Sequence, residues 1–198
     1  MDISGIVHSN VLNSKQSLLL DSLALKVLKN KHSLMERAGR SVSNFIKSNY
    51  PPCLVLVMCG TGSNGGDGFV VARRLQAEGF NVKIGYENKN KEISPDIKIM
   101  KDLCSIPAES YETALCNNPD LIVDAILGTG VKRDLDASKQ KLVKEINQKM
   151  VPIISIDIPT GIDASSGEMR GAAINATKTI KAIIQIIKNA PINALSAK

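Results

Sequence analysis

Short unbroken apolar runs alternate along this chain with longer stretches in which apolar positions recur every three or four residues. Leu54-Val-Leu-Val-Met58, Leu121-Ile-Val-Asp-Ala125 and Pro152-Ile-Ile-Ser-Ile-Asp157 are too short for helices and rich in β-formers, so each predicts a buried strand. Asn81-Val-Lys-Ile-Gly-Tyr86 alternates its faces and predicts a fourth. Between them the period changes. Leu18, Leu19, Leu23, Leu25, Val27 and Leu28 predict a broadly apolar first helix. Leu34, Met35, Ala38, Val42, Phe45 and Ile46 predict a second with a cleaner stripe, closed by Pro51-Pro52. Phe69, Val71, Ala72 and Leu75 predict a third helix, stopped at Gly79. Ser94-Pro95 supplies an N-cap residue and a proline at the first helical position of a fourth, running to about Leu103. Leu142, Val143 and Ile146 share one side of a helix over Ser138–Lys149. Strands alternating with helices predict an α/β fold, a mainly parallel sheet covered on both faces and preceded by two helices. No internal repeat, linker or domain boundary interrupts the pattern, so residues 1–198 read as one domain.

Three polar loops follow the carboxyl ends of these strands, Gly60–Gly68, Gly128–Asp134 and Pro159–Gly161, and that edge is where open α/β sheets bind ligands. The first satisfies the GxGxxG pattern of a dinucleotide turn, with Glu87 near the end of the next strand where a ribose-binding acid sits. Asp67 conflicts with that reading. Placed in the first turn of the following helix, its carboxylate favours the helix dipole and repels a phosphate on the same amides. Either the phosphate lies elsewhere, or a cation or a hydroxyl-bearing ligand fills the space. Asp124 and Asp157 end two other strands, where a carboxylate needs partners. Asp124 with the side-chain oxygens of Asn64 and Thr160 makes a hard oxygen set suited to a monovalent or divalent cation. Asp157 suits a general acid/base or a ribose ligand. Against this stands the plainer reading, that strand-end acids cap helices and accept turn amides.

Other residues carry less. His8 and His32 lie outside the strand-end loops, Arg133 is a phosphate candidate or an exposed loop arginine, and Glu36-Arg37 reads as a solvated or inter-helix pair. Ser155 has no matching histidine for a hydrolase triad.

Composition narrows the classes. The net charge is +6 and 43% of residues are hydrophobic, enough for one substantial core. The pI near 9.1 invites a nucleic-acid reading. Scattered lysines and an aromatic content of 3% argue against it, since stacking platforms are scarce. Cys53, Cys59, Cys104 and Cys116 lack metal-ligand spacing and read as reduced, buried thiols of a cytoplasmic protein. No run reaches the length of a membrane span, and no basic start leads into an apolar run as in a secretory signal.

Four segments in order, Leu34-Met-Glu-Arg-Ala-Gly-Arg40, Cys59-Gly-Thr-Gly-Ser-Asn-Gly-Gly-Asp-Gly68 with Ala72-Arg73, Asp124-Ala-Ile-Leu-Gly-Thr-Gly130 with Arg133, and Ser155-Ile-Asp-Ile-Pro-Thr-Gly161, resemble the YjeF N-terminal domain family, the NAD(P)H-hydrate epimerases. The match covers roughly residues 12 to 180. The resemblance implies a Rossmann-like three-layer α/β/α fold and an isomerase that interconverts the R and S hydrates of NADH and NADPH, NADHX and NADPHX. An S-specific dehydratase completes that repair. It further implies that Ser63, Asn64, Gly65, Gly66 and Asp67, the loop Gly128, Thr129, Gly130, Val131, Lys132, Arg133 and Asp134, and Asp157 contact the hydrated dinucleotide. A potassium ion, one per subunit, is implied at Asn64, Asp124 and Thr160, and a homodimer is common in the family. On this reading Asp67 is a binding acceptor and Asp157 the catalytic acid/base.

Three positions depart from the family pattern. Ser63 stands where a second asparagine is usual and Thr160 where serine is frequent, and both keep an oxygen. After Ile180 the family continues into further strand, whereas here residues 181–198 form an atypical Lys/Ile/Asn-rich tail that reads as truncated or altered. The alternatives are a non-catalytic nucleotide-binding module, a decayed epimerase, and a nicotinamide-dependent dehydrogenase. The retained Asp67, Asp124 and Asp157 oppose the first, and the lack of a second domain opposes the last.

Overall fold

The computed structural model describes residues 31–87 and 93–181. The first predicted helix, His8 and the tail after Lys181 lie outside them. The elements are α1 (Lys31–Asn49), β1 (Leu54–Cys59), α2 (Ser63–Ala77), β2 (Asn81–Tyr86), α3 (Pro95–Asp102), β3 (Ala108–Glu109), α4 (Tyr111–Leu115), β4 (Leu121–Ala125), α5 (Ala137–Asn147), β5 (Ile153–Ile156) and β6 (Lys178–Ile180). The strands form a single six-stranded sheet in the order β3-β2-β1-β4-β5-β6. Every pairing in it is parallel. The α/β expectation therefore holds.

Side-chain alternation along the strands divides the core in two. Val55, Val57 and Cys59 of β1 and Leu121, Val123 and Ala125 of β4 face α1, α2 and α3, whose Met35, Val42, Ile46, Phe69, Leu75, Ile97 and Met100 complete that layer. Leu56, Met58 and Ile122 face the other way, against Tyr111, Ala114 and Leu115 of α4 and Leu142, Val143 and Ile146 of α5. α2 is nearly enclosed, with Phe69, Val70, Val71, Ala72 and Leu75 all at most 1% exposed. Each large side chain of that set contributes about 1.5–3 kcal/mol by burial, so packing holds this glycine-rich helix where propensity does not.

The ends of the elements follow from local chemistry. α1 stops ahead of Pro51-Pro52, whose preceding residues disfavour helix. α2 closes at Gly79, at φ +86°, with Gly79 N–H donating to Gln76 C=O and Phe80 N–H to Leu75 C=O, a glycine C-terminal motif. Ser94 holds the extended conformation of an N-cap before Pro95, although its hydroxyl caps no amide. α5 begins at Ala137 rather than Ser138, because Asp136 is its N-cap, whose carboxylate accepts the Lys139 N–H at 2.8 Å.

The connections reverse between β1 and β4. From β1 the chain crosses through α2 on one face to β2, and from β4 it crosses through α5 on the other face to β5. The loops leaving β1 and β4 therefore diverge and open a crevice at their carboxyl ends, the switch point at which ligands bind in open α/β sheets. All three polar loops singled out from the sequence meet there.

Candidate functional site

β1 ends on Cys59, and Gly60 N–H donates to Ala125 C=O at 2.9 Å, carrying the β1–β4 contact past the last ladder pair. The glycines here serve close packing. A Cβ on Gly60 would lie 1.9 Å from Ile126 O, one on Gly65 would lie 1.8 Å from Gly60 O, and one on Gly68 would lie 2.7 Å from both Ala125 Cβ and Cys59 Sγ. α2 thus starts at Ser63, directly on the strand ends, with Gly62 as an N-cap that offers no side-chain acceptor. Two corrections follow. Gly65, Gly66 and Gly68 are helical rather than loop residues, and half-buried Asp67 sits in the second turn, not the first. Its favourable coupling to the helix dipole is correspondingly weaker, since dipole effects fade beyond one turn.

Asp124, 0% exposed, is the centre of the site. Its Oδ2 accepts the Ser155 hydroxyl at 2.8 Å and the Thr160 N–H at 2.9 Å, and its Oδ1 accepts the Thr160 hydroxyl at 2.6 Å and the Ile126 N–H at 3.3 Å. All four donors are neutral. Burial pushes the carboxyl above its usual range, and the bonds from Thr160, Ser155 and Ile126 pull the other way. A fully buried carboxylate with several acceptor bonds and no positive partner among the described residues suits a nearby cation. The oxygens for one are gathered around Leu127. Asn64, 7% exposed, donates its Nδ2 to Leu127 O at 3.1 Å, and Thr160 Oγ1 accepts Leu127 N–H at 3.0 Å. Asn64 from α2, Asp124 from β4 and Thr160 from the loop after β5 thus come together, as the sequence suggested. The set is all oxygen; among the described residues no trio of His, Cys, Asp or Glu has metal-binding geometry.

Asp157 follows β5 at φ +66°, the left-handed region that aspartate enters at some cost. Ile158 N–H donates to Ile156 C=O at 2.8 Å across it, and its own N–H donates to Ile180 C=O at 2.9 Å. This three-residue turn breaks the strand's alternation and redirects the side chain. The carboxylate accepts the Thr129 amide, and its Oδ2 lies 3.3 Å from where a Cβ on Gly128 would stand, so glycine there leaves it room. Burial raises its pKa, partly opposed by the Lys181 charge and the Thr129 amide. A carboxyl shifted upward is more readily protonated near neutral pH, as a general acid requires.

The loop from Gly128 borders a cavity of about 440 Å³ lined by Leu127, Gly128, Gly130, Val131, Lys132, Arg133 and Leu135. Val131 and Leu135 are buried and anchor the loop, whereas Lys132, Arg133 and Asp134 are exposed. Lys132 and Arg133 place two cations beside the cavity, in reach of an anionic ligand.

Several residues took roles the sequence did not suggest. Ser155, weighed only as a nucleophile, orients Asp124. Glu87 is met by Lys139 Nζ at 3.4 Å rather than left for a ribose. Glu36 does make an inter-helix pair, the second of the two roles read for it, with Arg73 of α2 as its partner. The four cysteines are free, but Cys116 is exposed and only Cys59 is fully buried. No helix among the described residues is long and apolar enough to cross a membrane.

Fold and site together define a class, a doubly wound α/β domain with an oxygen-rich ligand site at its switch point and an acid on a strained turn beside it. Within that class the chain belongs to the YjeF-related protein N-terminus family, whose model matches residues 31–185. It is 38% identical over 152 residues to an NAD(P)H-hydrate epimerase of Leuconostoc citreum, covering 74% of this chain and 67% of that protein. It is also 36% identical over 153 residues to the bifunctional NAD(P)H-hydrate repair enzyme Nnr of Escherichia coli, covering 75% of this chain and 30% of that one. The crystal structure of yeast ynu0 superposes with a TM-score of 0.75 at 28% identity, covering 86% of this chain and 79% of that one.

Proposed function

We propose that this protein is an isomerase that interconverts the R and S hydrates of NADH and NADPH. The reading rests on one observation above all: in a chain whose relatives are NAD(P)H-hydrate epimerases, a carboxyl of raised pKa, Asp157, is held on a strained turn facing the Gly128–Thr129 backbone at the switch-point crevice. On this reading the ligand groups are Ser63, Asn64, Gly65, Gly66 and Asp67 of α2 together with the Gly128–Asp134 loop. They bind the dinucleotide, Lys132 and Arg133 meet its diphosphate, and Asp67 accepts from its hydroxyl groups.

In the chemistry, protonated Asp157 donates its proton to the C6 hydroxyl of the hydrated ring. The C–O bond breaks, water leaves, and the ring nitrogen lone pair forms an iminium with C6. Water then adds to the opposite face of C6, and the released proton returns to the Asp157 carboxylate. Atoms and charge balance, and no oxidant is needed. Asn64, Asp124 and Thr160 fit a potassium ion as its oxygen ligands. Bound there, the ion supplies a positive charge that compensates the buried Asp124 carboxylate. The S hydrate is the form passed to a dehydratase, in keeping with the likeness to a bifunctional NAD(P)H-hydrate repair enzyme. Free thiols suit the cytoplasm, and a homodimer is the assembly this reading adopts.

Incubating R-NADHX with the protein in oxygen-18-labelled water tests the route. Elimination and re-addition places the heavy oxygen in the C6 hydroxyl of the S product faster than the enzyme-free background. S product formed at the enzymatic rate without label would overturn it.

A further inference from the structure

One side chain ties the start of α5 to the opposite side of the crevice. Lys139 Nζ lies 3.4 Å from Glu87 Oε1 and 3.0 Å from Asp136 Oδ2, with the Lys139 and Glu87 side chains only 16% and 8% exposed. Glu87 directly follows β2, and Lys139 belongs to the first turn of the helix after β4. Since β1 lies between β2 and β4, the pair spans the carboxyl end of β1. Asp136 is the N-cap of α5 and is itself set by Ser138, whose hydroxyl donates to Oδ1 at 2.6 Å.

The segment between β4 and this cap is the Gly128–Leu135 loop. Its near end is fixed by the bonds that Asn64 and Thr160 make around Leu127. At its far end Gln140 Nε2 donates to Leu135 O at 2.7 Å and Leu135 N–H to Arg170 O at 3.1 Å, with the Lys139–Glu87 contact just beyond. Burying a lysine gives up rotamer freedom and hydration, and a paired charge at best roughly offsets that. The gain is geometric, because a charged pair fixes a direction that apolar contacts leave loose.

We propose that Lys139 and Glu87 are positioning residues, a clasp that holds the Gly128–Leu135 loop against the substrate crevice. The kinetic consequence rests on the functional reading above; the structural one does not. If losing the clasp leaves the loop in its binding position about one tenth of the time, apparent substrate affinity falls about tenfold.

The test compares the full chain with Lys139→Met, the neutral pair Glu87→Gln/Lys139→Met, and Lys139→Arg, by amide hydrogen exchange and by kinetics on R-NADHX. The expected result for the first two variants is several-fold faster exchange over residues 128–135, with β1 and β5 unchanged. With it comes a KM about ten times higher and a kcat within about twofold, the pattern of lost ground-state positioning. Lys139→Arg restores both. Should Lys139→Met unfold because buried Glu87 loses its lysine partner, the neutral pair decides. Unchanged loop exchange overturns the proposal, as does a fall in kcat that tracks the unfolded fraction at constant KM. A wild type without turnover would remove the functional reading while leaving loop exchange to decide on the clasp.

Discussion

Ser155→Ala probes the site through its least conspicuous member. The hydroxyl donates to Asp124 Oδ2 at 2.8 Å, and both residues are 0% exposed, so no water replaces it without rearrangement. A hydrogen bond to a buried charged group contributes about 1.5–3 kcal/mol, and a domain of this size loses roughly 2–4 °C in Tm per kcal/mol. The expected fall is therefore about 3–12 °C near pH 8. The pH dependence is more diagnostic. Burial holds the folded Asp124 pKa above its ordinary 3.8, so the folded protein binds the proton more tightly than the unfolded chain. Stability from this group is full at low pH and declines as pH rises from 3.8 through the raised folded value. Removing Ser155 raises that value further, because it strips a bond from the charged form. The variant's deficit should therefore widen as pH rises through this window and narrow in acid. Thermal melts followed by circular dichroism across a pH series read this directly. A deficit below 1 °C near pH 8, or one that widens towards acid, would refute the account of Asp124 as a buried carboxylate held by neutral donors.

Asp157→Asn keeps a residue that tolerates positive φ, so the fold should persist with Tm nearly unchanged while the epimerase kcat drops about 10²–10⁴-fold, measured by chromatography of the two hydrates. Gly65→Ala places a Cβ 1.8 Å from Gly60 O and should lose about 3 kcal/mol or more in chemical denaturation. Gly62→Ala, with nothing within 4 Å, should lose no more than about 1 kcal/mol, and equal losses at the two positions would contradict the packing role. Replacing exposed Lys132 and Arg133 together by alanine should raise KM, with a smaller effect at high salt, while Tm stays within about 2 °C; an unchanged KM would remove them from diphosphate binding.

The strands that the sequence made visible are those with a full apolar run, β1, β4 and β5, and the alternating β2. β3 is two residues, Ala108–Glu109, and α4 is five, too short for any period to show. β6, Lys178–Ile180, is the last strand of the sheet among the described residues, with one buried residue of three. The start of α2 was misread for a physical reason: glycines disfavour helix, and only the tertiary contacts of Gly60, Gly65 and Gly68 make them the residues that fit. Within the site, Asp124, Asn64 and Thr160 were legible because oxygen ligands at strand ends stand out against apolar runs. Ser155 was not, since a buried serine on a strand carries no local mark of the carboxylate beside it. The strained turn at Asp157 was equally hidden, as no glycine announces its positive φ. Glu87 looked free because its partner lies 52 residues away on α5.

The central claim is settled most directly by a chromatographic time course on purified R-NADHX, with and without the protein, in potassium buffer and in a buffer containing choline instead. The account predicts rapid approach to the R/S equilibrium in potassium and a slower approach without it. A folded, soluble sample that leaves the R form at its spontaneous rate in potassium would contradict it.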